Sequence, residues 1–299
     1  MRYLPPAFFL VLLLFSSLRA FSQTDGQPLF TFGVMTDVQY CDCDNAGTRH
    51  YRSSLRKLGE AVQTFNQEKV AFVTHLGDFI DRDFRSYDTL NTIVKPLNAP
   101  IRHVLGNHDF SVRQEEIARV PATLQLKARY YSFARASWRF IVLDGNDLSV
   151  YGNVTTSKAH KQATRTLESL KAQQAPNAQP WNGGLGDKQL KWLEGELKSA
   201  VRKSEKVVVF CHFPLVPAND QHNLWNHQAV KALLESVPNV RAYFNGHAHQ
   251  SSYHTDKGIH YITFRGMVEQ EENGFALVEV YNDHLKIDGY GAEPDRILK

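Results

Sequence analysis

Asp37, Asp78, Asn107, His212, His247 and His249 each come at or just after the end of a short apolar run of the chain. Hard carboxylate and amide oxygens, one carboxylate able to bridge, and neutral imidazoles make up a set that can hold two divalent cations a few ångströms apart. Such a set also leaves positions open for water and substrate. Asp37 and Gln39 are separated by one residue, as are His247 and His249, so each pair points to one side of an extended backbone. Glycines precede Asp78, Asn107 and His247. They permit sharp turns directly after a strand, where a side chain would crowd the ions.

These groups act together only if the fold brings their loops to one edge. Short apolar, β-branched runs predict strands at 29–35, 70–75, 101–105, 130–134, 140–144, 207–211 and 240–244. Amphipathic stretches predict helices at 52–66, 87–97, 159–172, 187–201 and 226–236. Alternation of the two types is an α/β pattern. Five loops then leave the carboxyl ends of strands, where α/β sheets bind ligands. They are Thr36-Asp37-Val38-Gln39, Gly77 through Arg82, Gly106-Asn107-His108-Asp109, Cys211-His212-Phe213-Pro214 and Asn245 through His249. The last part changes character: 258–264, 274–281 and 286–289 predict an antiparallel β meander. A mixed sheet, or two sheets packed face to face with helices outside, accommodates both halves.

The first residues have the layout of a signal peptide: Arg2, an apolar stretch from Ala7 to Phe15, and small residues at Ala20 and Ser22. A bilayer-spanning helix needs about 20 apolar residues, so no stable membrane anchor is expected. Export follows, to a periplasm or beyond the cell, with residues 23–299 as a single domain. Removing residues 1–22, which contain Arg2 and Arg19 and no acidic residue, lowers the formal net charge from +3 by two. A near-neutral chain without a basic stripe predicts no nucleic-acid partner. Of three cysteines, Cys41 and Cys43 are too close in sequence for an easy bridge. They are expected to be loop cysteines near a functional site, and no disulfide framework is expected.

The blocks Asp37-Val38-Gln39, Gly77-Asp78 with Asp81, Gly106-Asn107-His108-Asp109, isolated His212 and Gly246-His247-Ala248-His249 occur in the order that marks the calcineurin-like metallophosphoesterases, which this sequence resembles. Gln39 in place of the commoner His, the run Arg49 to Leu55, Gly266-Met267-Val268-Glu269 and the closing Gly291 to Leu298 resemble the manganese-dependent ADP-ribose/CDP-alcohol diphosphatases. The resemblance runs from about Phe30 to Leu298. It implies a four-layer αββα sandwich of two mixed sheets flanked by helices. It further implies one metal held by Asp37, Gln39, Asp78 and His249, and another by Asp78, Asn107, His212 and His247, with Asp78 bridging. The sequence departs from that subfamily at Gln250 through His254, positions that border the substrate.

An amide oxygen from Gln39 hardens its metal position, which favours Mn²⁺ over Zn²⁺; Fe and Mg are alternatives. Two cations lower the pKa of a bridging water and neutralise phosphoryl oxygens during in-line attack. The substrate is then a small phosphate ester or nucleotide diphosphate such as ADP-ribose or a CDP-alcohol. The same core could serve a phosphomonoesterase or a cyclic-nucleotide phosphodiesterase, and a non-catalytic binding protein is the reading from another class. His108 follows a ligand and projects beside the metals, where it can protonate the leaving oxygen. Asp109 either orients that imidazole or caps the turn. Asp81 and Arg82 bind phosphate or pair with each other, the ion pair being favoured. His75 and His103 are expected to be buried and hydrogen-bonded, His222 and His227 to lie at the surface, and Tyr40, Arg49 and Trp225 to pack.

Overall fold

The computed structural model describes residue 1 and residues 26–299; the leader reading at 1–22 therefore falls almost wholly outside the described residues. In chain order the elements are β1 (Phe30–Met35), α1 (Ser53–Gln67), β2 (Val73–His75), α2 (Ser86–Val94), β3 (Ile101–His103), α3 (Val120–Thr123), β4 (Tyr131–Arg135) and β5 (Trp138–Val142). There follow α4 (Lys158–Ala172), α5 (Asp187–Arg202), β6 (Lys206–Phe210), α6 (His227–Glu235), β7 (Val240–Asn245), β8 (Ser252–Asp256) and β9 (Ile259–Thr263). The chain closes with β10 (Gly274–Val280), β11 (Leu285–Gly291) and β12 (Arg296–Leu298).

Two six-stranded sheets result, ordered β12-β11-β10-β1-β2-β3 and β4-β5-β6-β7-β9-β8. Both are mixed: β1, β2 and β3 run parallel while β10 to β12 run antiparallel, and β5, β6, β7 and β9 run parallel between antiparallel β4 and β8. Alternation along each strand sends one set of side chains between the sheets and the other toward the helices. Phe32, Phe72, Phe140, Phe210 and Phe244 fill the middle layer, with Phe32 and Phe72 stacked at 4.7 Å between centroids. Val73, Phe275 and Leu277 pack outward against Leu58 and Phe65 of α1 and Leu90 of α2. Val207, Val209 and Tyr243 pack outward against Leu193 and Leu197 of α5 and Val230 of α6. The architecture is the helix-sheet-sheet-helix sandwich.

The amphipathic reading of α1 is explained by its buried positions, Ser54, Lys57, Leu58, Ala61, Val62 and Phe65, which follow helical spacing on one face. The C-terminal meander is corrected in one respect. β9 leaves it and pairs parallel with β7 in the second sheet, and only β10 to β12 form an antiparallel meander. The partner of β9, the polar and largely exposed strand β8, carries no apolar signal and was not expected. The cysteine expectation is also corrected: Cys41 and Cys43 are bonded to each other, their Cα atoms 5.3 Å apart, a separation within the usual range for a bridge. Among the described residues no helix is long and apolar enough to cross a membrane.

Candidate metal centre

The loops after β1, β2, β3, β6 and β7 converge, and all seven candidate ligands meet. The Asp78 carboxylate is at the middle. Its Oδ2 accepts a hydrogen bond from Gln39 Nε2 at 3.0 Å and lies 3.2 Å from His212 Nε2. Its Oδ1 accepts from the His108 backbone N–H at 2.7 Å. On one flank, His249 Nε2 lies 3.0 Å from Gln39 Nε2 and 3.3 Å from Asp37 Oδ1. On the other, His212 Nε2 lies 3.1 Å from Asn107 Oδ1, and the rings of His212 and His247 are 4.9 Å apart. Asp37, Gln39 and His249 thus stand on one flank of Asp78, and Asn107, His212 and His247 on the other.

Backbone geometry shows how tightly these loops are set. Asp37 (φ 49°), Gln39 (φ 42°), Asp78 (φ 59°), His247 (φ 66°) and His249 (φ 59°) all occupy the left-handed region. Non-glycine residues avoid it at a cost of about 1–2 kcal/mol each, and such strain clusters where function needs it. Close approach is equally marked at Gly106, where an added Cβ would lie 2.2 Å from Asp78 Oδ1, and at Gly246, where it would lie 2.4 Å from Asp37 Oδ2.

Each imidazole is fixed by a partner on its other nitrogen, the arrangement that orients metal-binding histidines. His212 Nδ1 donates to the Leu76 carbonyl at 2.8 Å. His249 Nδ1 lies 2.7 Å from Glu269 Oε1 and His247 Nε2 lies 2.9 Å from Asn182 Oδ1. Glu269 is placed in turn by the buried Lys57 ammonium, which donates to the carbonyls of Met267 (2.8 Å), Glu269 (3.0 Å) and Gln270 (2.5 Å). Neither Glu269 nor Asn182 was picked out as a site residue from sequence, because both arrive from segments far from any ligand motif. Replacing Glu269 by Gln keeps the shape and weakens the acceptor, so we expect metal affinity to fall about 10–100-fold, measured by isothermal titration of the metal-stripped protein with Mn²⁺.

Two buried oxygens, Asp37 Oδ1 and Gln39 Oε1, have no hydrogen-bond partner. Leaving such groups unsatisfied costs about 1–3 kcal/mol each, and a divalent cation would satisfy both. The electrostatics point the same way. Burial pushes Asp78 up, but His212 and His108 outweigh it and hold the carboxylate well below its usual range. Burial opposes protonation of His212 and His249, yet Asp78 beside the first and Asp37 beside the second raise each to about 9. Burial, with the His212 charge, keeps His247 well below the usual imidazole value. The residues thus fit a pair of cations, with protons on His212 and His249 neutralising the carboxylates in their absence. Ligation needs neutral imidazole, so cation uptake at pH 7 should release close to two protons, and affinity should rise with pH up to about 9. Titration calorimetry in buffers of differing ionisation enthalpy reads that number; a value near zero contradicts protonation of His212 and His249 in the metal-free protein.

His108 lines the cleft, and its Nδ1 lies 3.0 Å from the Asp81 carbonyl oxygen and 3.3 Å from Asp81 Oδ1. The Asp109 expectation resolves toward the turn. Its carboxylate accepts from the backbone N–H groups of Gly106 (2.8 Å), Phe79 (3.0 Å) and Asp78 (3.1 Å) and from the Tyr87 hydroxyl (3.0 Å). It ties two ligand loops together instead of orienting His108, and burial with the Asp78 charge pushes it up to about 6. Asp81 takes the orienting place and pairs with Arg82 Nε at 2.6 Å.

A cavity of about 360 Å³ opens over the centre, lined by Gln39, Asn107 and His108 together with Arg49, Trp181 and His222. Arg49 and His222 therefore border the site: Arg49 departs from the packing reading, while His222 keeps a partly exposed side chain at the cleft. His227 is buried, 3.2 Å from Asn177 Nδ2, and is not a surface residue. Trp225 and Tyr40 are buried and pack as expected, as are His75 and His103, whose Nδ1 atoms lie 3.4 Å apart.

The sequence pattern of calcineurin-like phosphoesterases matches residues 30–251. This chain belongs to that family. Its relatives include a protein of Xenopus tropicalis, 32% identical, with 91% of this chain and 94% of the relative covered, named manganese-dependent ADP-ribose/CDP-alcohol diphosphatase. A Danio rerio protein of the same name is 33% identical, with 90% of this chain and 97% of the relative covered. Among solved structures, a dimetal phosphatase from Danio rerio superimposes with a TM-score of 0.83 at 30% identity, covering 91% of this phosphoesterase and 99% of that chain. A purple acid phosphatase from yellow lupin shares the fold at a TM-score of 0.52 and 13% identity, covering 89% of this chain and 52% of the other.

Proposed function

We propose that this phosphoesterase hydrolyses phosphoanhydride and phosphodiester bonds of nucleotide-type substrates, ADP-ribose and CDP-alcohols first among them. The observation that carries the reading is the Asp78 carboxylate set between two complete donor groups, together with relatives that bear that activity in their names. One cation would be held by Asp37, Gln39, Asp78 and His249, the other by Asp78, Asn107, His212 and His247. Mn²⁺ fits best, since two carboxylates and two amide oxygens make the set hard. Bound there, the cations supply Lewis acidity and an activated water.

The chain's own groups do the rest. Asp81 fixes the His108 ring through Nδ1, which leaves Nε2 available to hand a proton to the leaving oxygen. Arg49 adds positive charge that already acts on Glu269 and His249 and is placed to meet a second phosphate. Trp181 stays 40% exposed at the cleft and offers a flat apolar face to a base. This composition of the cleft favours a nucleotide over a bare monoester.

The test is a panel assay of the Mn²⁺-loaded protein on ADP-ribose, CDP-choline, p-nitrophenyl phosphate and a cyclic nucleotide. Release of AMP and CMP with kcat/KM well above that for the other two supports the proposal. Cleavage of the generic ester or the cyclic nucleotide alone replaces it with the corresponding alternative.

We also infer export through residues 1–22, on the charged, apolar and small-residue layout of that segment. Expression of the full chain in a Gram-negative host followed by cell fractionation and N-terminal sequencing tests this. An uncleaved cytoplasmic product contradicts it.

A further inference from the structure

The Cys41–Cys43 pair lies beside the proton-transfer machinery without being part of it. Cys41 is buried against Tyr51 and Val268, and Cys43 is half-buried. Cys41 Sγ lies 3.9 Å from Asp81 Oδ2, the oxygen that also accepts from Arg82. The other oxygen, Oδ1, is the one facing His108 and lacks a hydrogen-bond partner, although Asp81 is only 2% exposed. Backbone bonds fasten the segment before Cys41 to the loop carrying Asp78 and Asp81: Tyr40 N–H donates to the Phe79 carbonyl at 3.3 Å and Asp81 N–H to the Tyr40 carbonyl at 3.0 Å. Arg52 pairs with the neighbouring exposed carboxylates Asp42 and Asp44 at 2.7 Å each.

We propose that the Cys41–Cys43 bond is a thiol-exchange site, and that its redox state sets how well Asp81 positions His108. The proposal rests on the hydrolase reading above. The reductant is a small dithiol. Its thiolate attacks the more accessible sulfur, that of Cys43; the S–S bond breaks and Cys41 leaves as thiolate, which takes up a proton. The second thiol of the reductant then resolves the mixed disulfide, giving the Cys43 thiol and a cyclic disulfide, with two electrons and two protons transferred to the protein. In the dithiol form Cys41 carries an S–H donor within reach of Asp81 Oδ2, and the brace between residues 41 and 43 is gone. The Cys41 S–H and Arg82 then compete for Asp81 Oδ2 and draw the carboxylate from its 3.3 Å contact with His108, so the ring keeps only the Asp81 carbonyl at 3.0 Å and is held less firmly, which slows turnover and leaves substrate binding unchanged.

The Mn²⁺-loaded full-length enzyme is equilibrated across a series of dithiol/disulfide redox buffers. For each, kcat and KM for ADP-ribose and the number of free thiols in denaturant are measured. We expect the thiol count to rise from one, Cys211, to three, and kcat to fall on the order of fivefold, the lower end of typical coupling between sites. KM should stay constant, and the two transitions should share a midpoint. Reoxidation restores kcat, and the C41S/C43S double variant does not respond. Activity that is indifferent to a completed thiol transition, an equal response of the double variant, or three thiols after exhaustive oxidation overturns the switch. Absence of activity in both states overturns the hydrolase reading and the switch with it, whereas full, redox-indifferent activity overturns the switch alone.

Discussion

His108→Ala should lower kcat about 10²–10⁴-fold, the usual contribution of a positioned acid, while KM changes little and the bound metal stays at the wild-type amount. The expectation follows from where the ring sits. Its backbone N–H anchors Asp78 Oδ1 at 2.7 Å, but that contact is main-chain and survives the substitution. The side chain contacts Asp81 and lines the cleft, and it is not one of the seven expected ligands. Loss should therefore be largest for substrates with a poor leaving group and smallest for p-nitrophenyl phosphate, whose leaving oxygen needs no proton. A variant that loses metal along with activity would make His108 a structural residue instead. Steady-state kinetics with metal analysis of the same sample separates the two outcomes.

Asp78→Asn should be more damaging still. The carboxylate is fully buried between the two donor groups, touching Gln39 on one side and His212 on the other. Its charge also holds His212 up to about 9 against the effect of burial. An amide of the same shape supplies one neutral oxygen where a bridging carboxylate supplied two charged ones. Activity should drop by more than about 10⁴-fold, the upper end for loss of a proton donor, because both cations would lose the anionic ligand they share. Metal content should fall below the wild-type level even in excess Mn²⁺, and the protein should remain folded, because Asn still accepts from the His108 N–H. Circular dichroism, metal analysis and kinetics on one preparation check all three.

The chemistry was more legible than its support. Ligand types, their order and their spacing after apolar runs are local properties, and all seven candidates reach one centre. The strain they carry was invisible: nothing in the residue names marks Asp37, Gln39 or His249 as left-handed. Adjacency left Asp109 open between orienting His108 and capping the turn. The short 3₁₀ turn His108–Phe110 turns its carboxylate back onto the amides of Gly106, Asp78 and Phe79, so Asp81, from another loop, faces His108 instead. Glu269 and Asn182 reach the imidazoles over long sequence separations that no spacing rule encodes. In the fold, strand β8 was missed because it is polar and mostly exposed. β9 was placed in the wrong sheet because a parallel partner leaves no turn signature.

The most direct test of the account is a titration of metal-stripped protein with Mn²⁺ while ADP-ribose cleavage is followed. The account predicts AMP and ribose 5-phosphate as products, with activity rising until two equivalents of Mn²⁺ per chain are bound and reaching a plateau there. Saturation of binding with no cleavage of any phosphoanhydride or ester, or full activity in a chelator that removes all divalent metal, would contradict it.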